Sequence, residues 1–199
     1  MRLAILTRHG RSVLNGLGLV NGDPRNDRGL SSEGSAQATA LGRQLAGLEI
    51  GLCVVSEFRR AQQTAELALG VRNVATVVDP GWNDVRIGEL EGRTIAEYED
   101  WKRARPRSVP FPGGESLDDT ARRYAAALER LLGREEEVVL VVCHEIPVRY
   151  SVNAAGGSDG LDHPLHVVPN ATPYLFDAAA VRRAIDRILL LTPEHRERA

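Results

Sequence analysis

Short apolar runs alternate along the chain with stretches in which apolar residues recur every three to four positions. Arg2–Thr7, Leu52–Ser56, Val74–Asp79 and Val138–Cys143 are apolar with little alternation, the pattern of strands covered on both faces. Helical periodicity lies between them. Ser31–Ala46 opens with Ser31-Ser32-Glu33 as cap and first-turn acid, carries Leu41, Leu45 and Leu48 on one side, and meets Gly47. Phe58–Leu69 stops likewise before Gly70. Thr94–Ala104 starts with a Thr94-x-x-Glu97 capping box and sets Ile95, Tyr98 and Trp101 on one face. Ser116–Leu132 has Ser116 as cap, Asp119 at the third position and Leu117, Ala121, Tyr124, Leu128 and Leu131 as its apolar stripe. A last helix is predicted from Pro147, an allowed first-turn position. Two further strands are predicted at Pro173–Phe176 and Ile188–Leu191. With no internal repeat or linker, the alternation predicts one α/β domain over residues 1–199: a three-layer α/β/α sandwich around a mostly parallel, doubly wound sheet.

Composition narrows the function classes. A chain of 199 residues with 43% hydrophobic and 26% charged residues is long enough for a real core. The net charge of -2 and pI near 6.2 give no general attraction to nucleic acid or anionic lipid, so any anion site must be local. No apolar run reaches the length of a signal peptide or membrane span, which points to the cytoplasm. Cys53 and Cys143 sit inside apolar runs and read as reduced core thiols. The pattern carries no signal of oligomeric state.

Ligands of open α/β sheets bind beyond the carboxyl ends of the strands. The chemically conspicuous residues follow those ends: Arg8 and His9 after the first strand, Arg60 after the second, Asp84 after the third and His144 after the fourth. Two arginines and two histidines meeting at one edge, near helix N-termini, make a pocket for an anion such as a phosphoryl group.

The stretches Thr7-Arg8-His9-Gly10-Arg11-Ser12-x-x-Asn15, Leu30-Ser31-x-x-Gly34-x-x-Gln37-Ala38 and Ser56-x-x-x-Arg60-Ala61-x-x-Thr64-Ala65-Glu66 occur in order along the chain. Gly88-Glu89-Leu90-Glu91-Gly92, Pro112-Gly113-Gly114-Glu115-Ser116 and Val141-Val142-Cys143-His144 follow. Together they resemble the histidine phosphatase superfamily in its phosphoglycerate-mutase-like branch. The resemblance implies that His9 attacks phosphorus to form a phosphohistidine. It implies that Arg8 and Arg60 grip phosphoryl oxygens and that His144 donates to one of them, with Gly10 and Asn15 adding contacts to the substrate. It also implies Asp84 as general acid, although that branch commonly carries glutamate there; Glu89 and Glu91 are rivals. A neutral imidazole suits the nucleophile's task, and arginine forks suit an oxyanion.

The expectation is therefore a metal-independent phosphatase, without cofactor, acting on small phosphomonoesters. A phosphomutase and a catalytically weak phosphate-binding module are the alternatives. The hydrolase is favoured because a mutase must shield its phosphohistidine from water, and this chain is relatively short. Cys143-x5-Arg149 matches the pattern of cysteine-dependent phosphatases, but Pro147 lacks an N–H and the loop has no glycine. His163 and His166 beside Asp162 are a weak metal signature, and Lys102, the only lysine, lies away from the strand ends. Glu145 stands where relatives usually carry glycine, which predicts a narrowed pocket or a substrate with a cationic or hydroxylated part.

Overall fold

The computed structural model describes residues 1–193. Five strands form one sheet in the order β3-β2-β4-β1-β5: β1 Leu3–Arg8, β2 Leu52–Val55, β3 Ala75–Val78, β4 Val138–Cys143 and β5 Pro173–Asp177. The first four run parallel, and β5 lies antiparallel on β1 with Leu3 opposite Asp177. The helices are α1 Val13–Gly16, α2 Ser32–Gln44, α3 Arg59–Leu69, α4 Ile95–Arg103, α5 Leu117–Leu132, α6 Glu145–Ala155 and α7 Ala178–Leu191.

The strands divide their residues between two cores. Ala4, Leu6, Leu52, Val54, Val139, Val141 and Cys143 pack with Tyr124 and Leu128 of α5, Val148 of α6 and Ile188 of α7. Ile5, Cys53, Val55, Val138, Leu140 and Val142 pack with Leu41 of α2 and Ala61 and Ala65 of α3. Helices thus cover both faces, as the unalternating apolar runs of β1, β2 and β4 require. The connection leaving β1 goes to one face and that leaving β4 to the other, so a crevice opens between these neighbouring strands at their carboxyl ends.

Three expectations need correction. Ile188–Leu191 is the last turn of α7, not a strand. Asp177 caps that helix by accepting from the Ala180 amide, and Val181, Ala184, Ile185 and Ile188 form one buried stripe, so the helical periodicity and the three leucines, good helix formers, carry the run into α7. The helix expected from Pro147 begins two residues earlier, at Glu145, and α7 follows it. β3 is an exposed edge strand, not one covered on both faces. The remaining element boundaries fall within a few residues of those predicted. Thr94 and Ser116 each form the expected capping box, with Glu97 and Asp119.

Candidate active site

His9 follows β1 at the crevice and is 2% exposed. The turn is held close to α2: a Cβ on Gly10 would lie 2.4 Å from the Gly34 carbonyl oxygen, so a larger residue does not fit without displacing backbone. Asn170 donates to the His9 carbonyl at 2.8 Å. The ring is fixed by its own neighbours. Nδ1 lies 2.7 Å from the Gly10 carbonyl oxygen, which can only accept, so Nδ1 carries the hydrogen. Nε2 therefore holds the lone pair and accepts from Arg60 Nε at 3.0 Å.

Arg60 enters from the first turn of α3, placed by β2, and is 3% exposed. Its Nη1 donates to Asn21 Oδ1 at 2.5 Å and its Nη2 to the Asn21 carbonyl at 3.2 Å. Asp27 accepts from the Arg60 amide at 2.8 Å and also lies 3.5 Å from Nη1. Arg60 stacks over Phe58, with Cζ 4.1 Å from the ring centre.

His144 caps β4 and is fully buried. Arg60 Nη2 donates to its Nδ1 at 3.2 Å. An arginine cannot accept, so Nδ1 is bare and Nε2 donates to Ser56 Oγ at 2.9 Å. The His9 and His144 rings meet edge to face at 5.3 Å. Asp84 completes the cluster: its Oδ2 lies 3.3 Å from Arg60 Nη2 and 3.5 Å from His144 Nδ1.

The electrostatics follow from burial among cations. Burial, then the positive charges of Arg60 and Arg8, push the His9 pKa well below its usual value. Burial, Arg60 and the neighbouring His9 do the same to His144. Burial raises the Asp84 pKa against the opposing pull of Arg60. At neutral pH the pocket thus presents two neutral imidazoles, and its carboxyl group holds a proton more readily than an exposed aspartate. A neutral imidazole with an available lone pair can act as a nucleophile, arginines can hold an oxyanion, and a carboxyl with a raised pKa is better suited than an exposed one to serve as an acid.

The other expected residues fare differently. Arg8 Nη1 lies 2.7 Å from Glu145 Oε2 and donates to the Val168 carbonyl at 2.9 Å. Asn15 lines the cleft, but its Oδ1 accepts from the Ser12 amide in a capping box. The Gly10 amide donates to Thr64 Oγ1 at 2.9 Å, so the contact expected from it to a substrate is already spent within the protein. Of the rival acids, Glu89 is exposed, and Glu91 holds Asn21 and the Gly22 amide. Glu145 is engaged by Arg8 and Arg149.

Cys143 points into the core beside the Thr7 carbonyl, and burial drives its thiol pKa up, opposite to what a thiolate nucleophile needs. His163 Nδ1 lies 3.0 Å from His166 Nε2, while Asp162 is bound by Arg107 and Arg149. Among the described residues no group of three or more His, Cys, Asp or Glu side chains could hold a metal, and no helix is long and apolar enough to cross a membrane.

Several supporting residues were missed. Asn21 and Asp27 lie in a segment without a readable pattern. Ser56 and Thr64 belong to the motif around Arg60, and their spacing from it was the available signal. Arg123 donates to the carbonyls of Gly81, Asn83 and Asp84 and to Glu115 Oε1, at 2.7–3.2 Å. Glu115 Oε1 also accepts from the Arg86 amide, and Tyr124 donates to the Asn83 carbonyl. Together these bonds fix the backbone that presents Asp84, a role that a helical arginine does not betray in sequence.

The profile of the histidine phosphatase superfamily (branch 1) matches residues 4–188. The 2,3-bisphosphoglycerate-dependent phosphoglycerate mutase of Methylobacterium sp. strain 4-46 is 35% identical over 173 residues, covering 78% of this chain and 81% of that protein. The protein of the same name from Brucella ovis is 33% identical over 174 residues, covering 78% and 82%. Among solved structures, the alpha-ribazole phosphatase of Shigella flexneri aligns with a TM-score of 0.77 at 24% identity over 88% of this chain and 90% of that one. A mycobacterial glucosyl-3-phosphoglycerate phosphatase aligns with a TM-score of 0.74 at 24% identity, over 88% and 92%. The chain belongs to the histidine phosphatase superfamily, branch 1, whose members are mainly phosphatases and phosphomutases acting on small phosphorylated substrates.

Proposed function

We propose that this histidine phosphatase superfamily member hydrolyses small phosphomonoesters through a phosphohistidine on His9, without a metal. The observation that carries the reading is the unprotonated Nε2 of a neutral, buried His9 lying against Arg60, with Asp84, whose pKa burial raises, on the same guanidinium.

The phosphoryl group enters between Arg8 and Arg60 and takes their donors, releasing His9 Nε2 from Arg60. The Nε2 lone pair then forms the N–P bond as the P–O bond to the leaving alcohol breaks. The Asp84 carboxyl gives its proton to the departing oxygen, which avoids a free alkoxide. The N–H···O bond from Nδ1 to the Gly10 carbonyl supports the cationic ring of the intermediate. Arg8 and Arg60 offset charge on the equatorial oxygens. A phosphate dianion beside His144 favours its protonated form, so that Nδ1 donates instead of accepting. Water next attacks phosphorus, Asp84 takes its proton, and the N–P electron pair returns to Nε2.

The names of the curated relatives favour a phosphomutase instead. A mutase must hold a doubly phosphorylated intermediate and return its second phosphate. Beyond Arg8 and Arg60, this cleft offers a second phosphate only Lys102 and Arg149 among its lining cations, each beside a carboxylate it would have to leave, which favours hydrolysis. The test is release of inorganic phosphate from p-nitrophenyl phosphate with chelator present, by the wild-type protein and by His9→Ala. The hydrolase reading expects turnover only in the former. Strict dependence on an added divalent metal contradicts it, and phosphate binding without turnover favours a binding module.

A further inference from the structure

The cleft that holds His9 is lined by apolar as well as charged side chains, and the apolar ones can meet whatever the phosphoryl group is attached to. Leu14 and Leu19 from α1 and the turn after it, Val20, Ile95 and Tyr98 from the start of α4, and Ile146 from α6 all line it. Ile95 is 47% exposed at the rim, whereas Leu14, Tyr98 and Ile146 are almost fully covered. These apolar residues come from three separate stretches of the chain, residues 14–20, 95–98 and 146. The cleft is open at its mouth, where the exposed Ile95 stands.

The charges lining the same cleft are matched. Arg8 faces Glu145 at 2.7 Å, and Arg60 faces Asp84 at 3.3 Å and Asp27 at 3.5 Å. Arg149 lies between Glu145 at 3.4 Å and Asp162 at 3.1 Å. Lys102 Nζ is 3.0 Å from Glu99 and packs over the Tyr98 ring at 4.9 Å. A phosphoryl group claims Arg8 and Arg60. Lys102 and Arg149 each lie beside a carboxylate as Arg8 does, so a second anionic group on the substrate would have to displace Glu99 or Glu145 in addition to the displacement the phosphoryl group itself makes at Arg8. A cationic substituent finds both of those carboxylates occupied as well.

We infer that the substrate is the phosphomonoester of an uncharged, largely apolar alcohol, and not a phosphorylated carboxylic acid. This rests on the hydrolase reading of the same cleft, and it assigns the apolar wall as the specificity surface. Burial of the substrate body supplies affinity in proportion to the apolar area covered, while matched charges on the rim reject a competing anion.

Binding is tested separately from turnover by titrating the wild-type protein calorimetrically with two non-hydrolysable phosphonates. Benzylphosphonate carries a ring beyond phosphorus, and 3-phosphonopropionate carries a carboxylate. Benzylphosphonate is expected to bind at least about tenfold more tightly, and Ile95→Lys, a change at the exposed rim that removes apolar surface and adds a cation, is expected to bring the two affinities to within about threefold. Equal or tighter binding of 3-phosphonopropionate overturns the inference. So does a Lys102→Gln protein that loses affinity for 3-phosphonopropionate alone, since Lys102 would then be a working anion site. Binding of neither compound overturns the assignment of the cleft itself. Turnover of p-nitrophenyl phosphate, read in parallel, tests the hydrolase reading: its absence alongside selective benzylphosphonate binding sinks hydrolysis and leaves the specificity surface standing.

Discussion

Arg60 Nε donates to His9 Nε2 across 3.0 Å, so the nitrogen proposed to attack phosphorus is covered, in the absence of phosphate, by the guanidinium proposed to bind it. Phosphate binding uncovers the nucleophile and neutralises the arginine in one exchange. Arg60→Lys keeps the positive charge but loses the planar fork that spans Asn21, His144 and His9. The expected result is a loss of roughly a hundredfold or more in kcat/KM for p-nitrophenyl phosphate, the range for removing a preorganised transition-state donor. Steady-state kinetics with a melting curve as folding control checks it, and a loss below about threefold counts against the role.

Asp84→Asn keeps the shape of the side chain and removes its proton. In single-turnover measurements the phosphorylation step on an alkyl phosphate should fall by roughly a hundredfold or more, and far less on p-nitrophenyl phosphate, whose leaving group needs no acid. Phosphohistidine hydrolysis is measured separately, because the same carboxylate is proposed to activate the incoming water. Equal loss on both substrates in the first step places the acid elsewhere.

Arg123 acts on Asp84 through the backbone and is a positioning residue. Arg123→Met retains the aliphatic stem but releases three carbonyls and leaves Glu115 buried with one ion-pair partner fewer. Stability should fall by about 2–4 kcal/mol in urea. The kcat on alkyl phosphates should fall more than that on p-nitrophenyl phosphate, a split that plain destabilisation does not produce.

The two histidines give the fold a pH dependence with a definite sign. Both have native pKa values pressed well below 6.5, chiefly by burial. The unfolded chain therefore takes up protons first as pH falls, and stability that is complete above about pH 6.5 is lost progressively below it. Asp84, with its raised pKa, contributes in the opposite sense, losing stability as pH rises from 3.8 toward its native value. Tm should drop between pH 6.5 and 5, and His9→Asn should flatten that drop by about one proton's worth of slope. An unchanged slope means that His9 is protonated in the native site.

Much of this was legible in the sequence because the fold is repetitive in its physics. Buried parallel strands leave unbroken apolar runs, and helix caps leave Ser or Thr three residues before an acid, so β1, β2, β4, α4 and α5 could be placed from pattern alone. The strand-end rule then put Arg8, His9, Arg60, Asp84 and His144 at one edge, where the structure brings them together. Ile188–Leu191 misled because four aliphatic residues look alike at the end of a helix and in a strand; only the stripe reaching back to Val181 separates them. The partners of Glu145 and Gly10 were not legible because they depend on approach from distant segments: α2 presses on Gly10, and Arg8 reaches Glu145 across the β1–β4 crevice. Asn21, Asp27 and Arg123 support the site from loops and a helix face whose partners no local pattern reveals.

The most direct test of the central claim is a rapid-quench experiment with a radiolabelled phosphomonoester during turnover. The account predicts a covalent label that survives alkali, is lost in acid, maps to His9 and disappears in His9→Ala. A label on Cys143, or no label during a pre-steady-state burst of alcohol release, would contradict it.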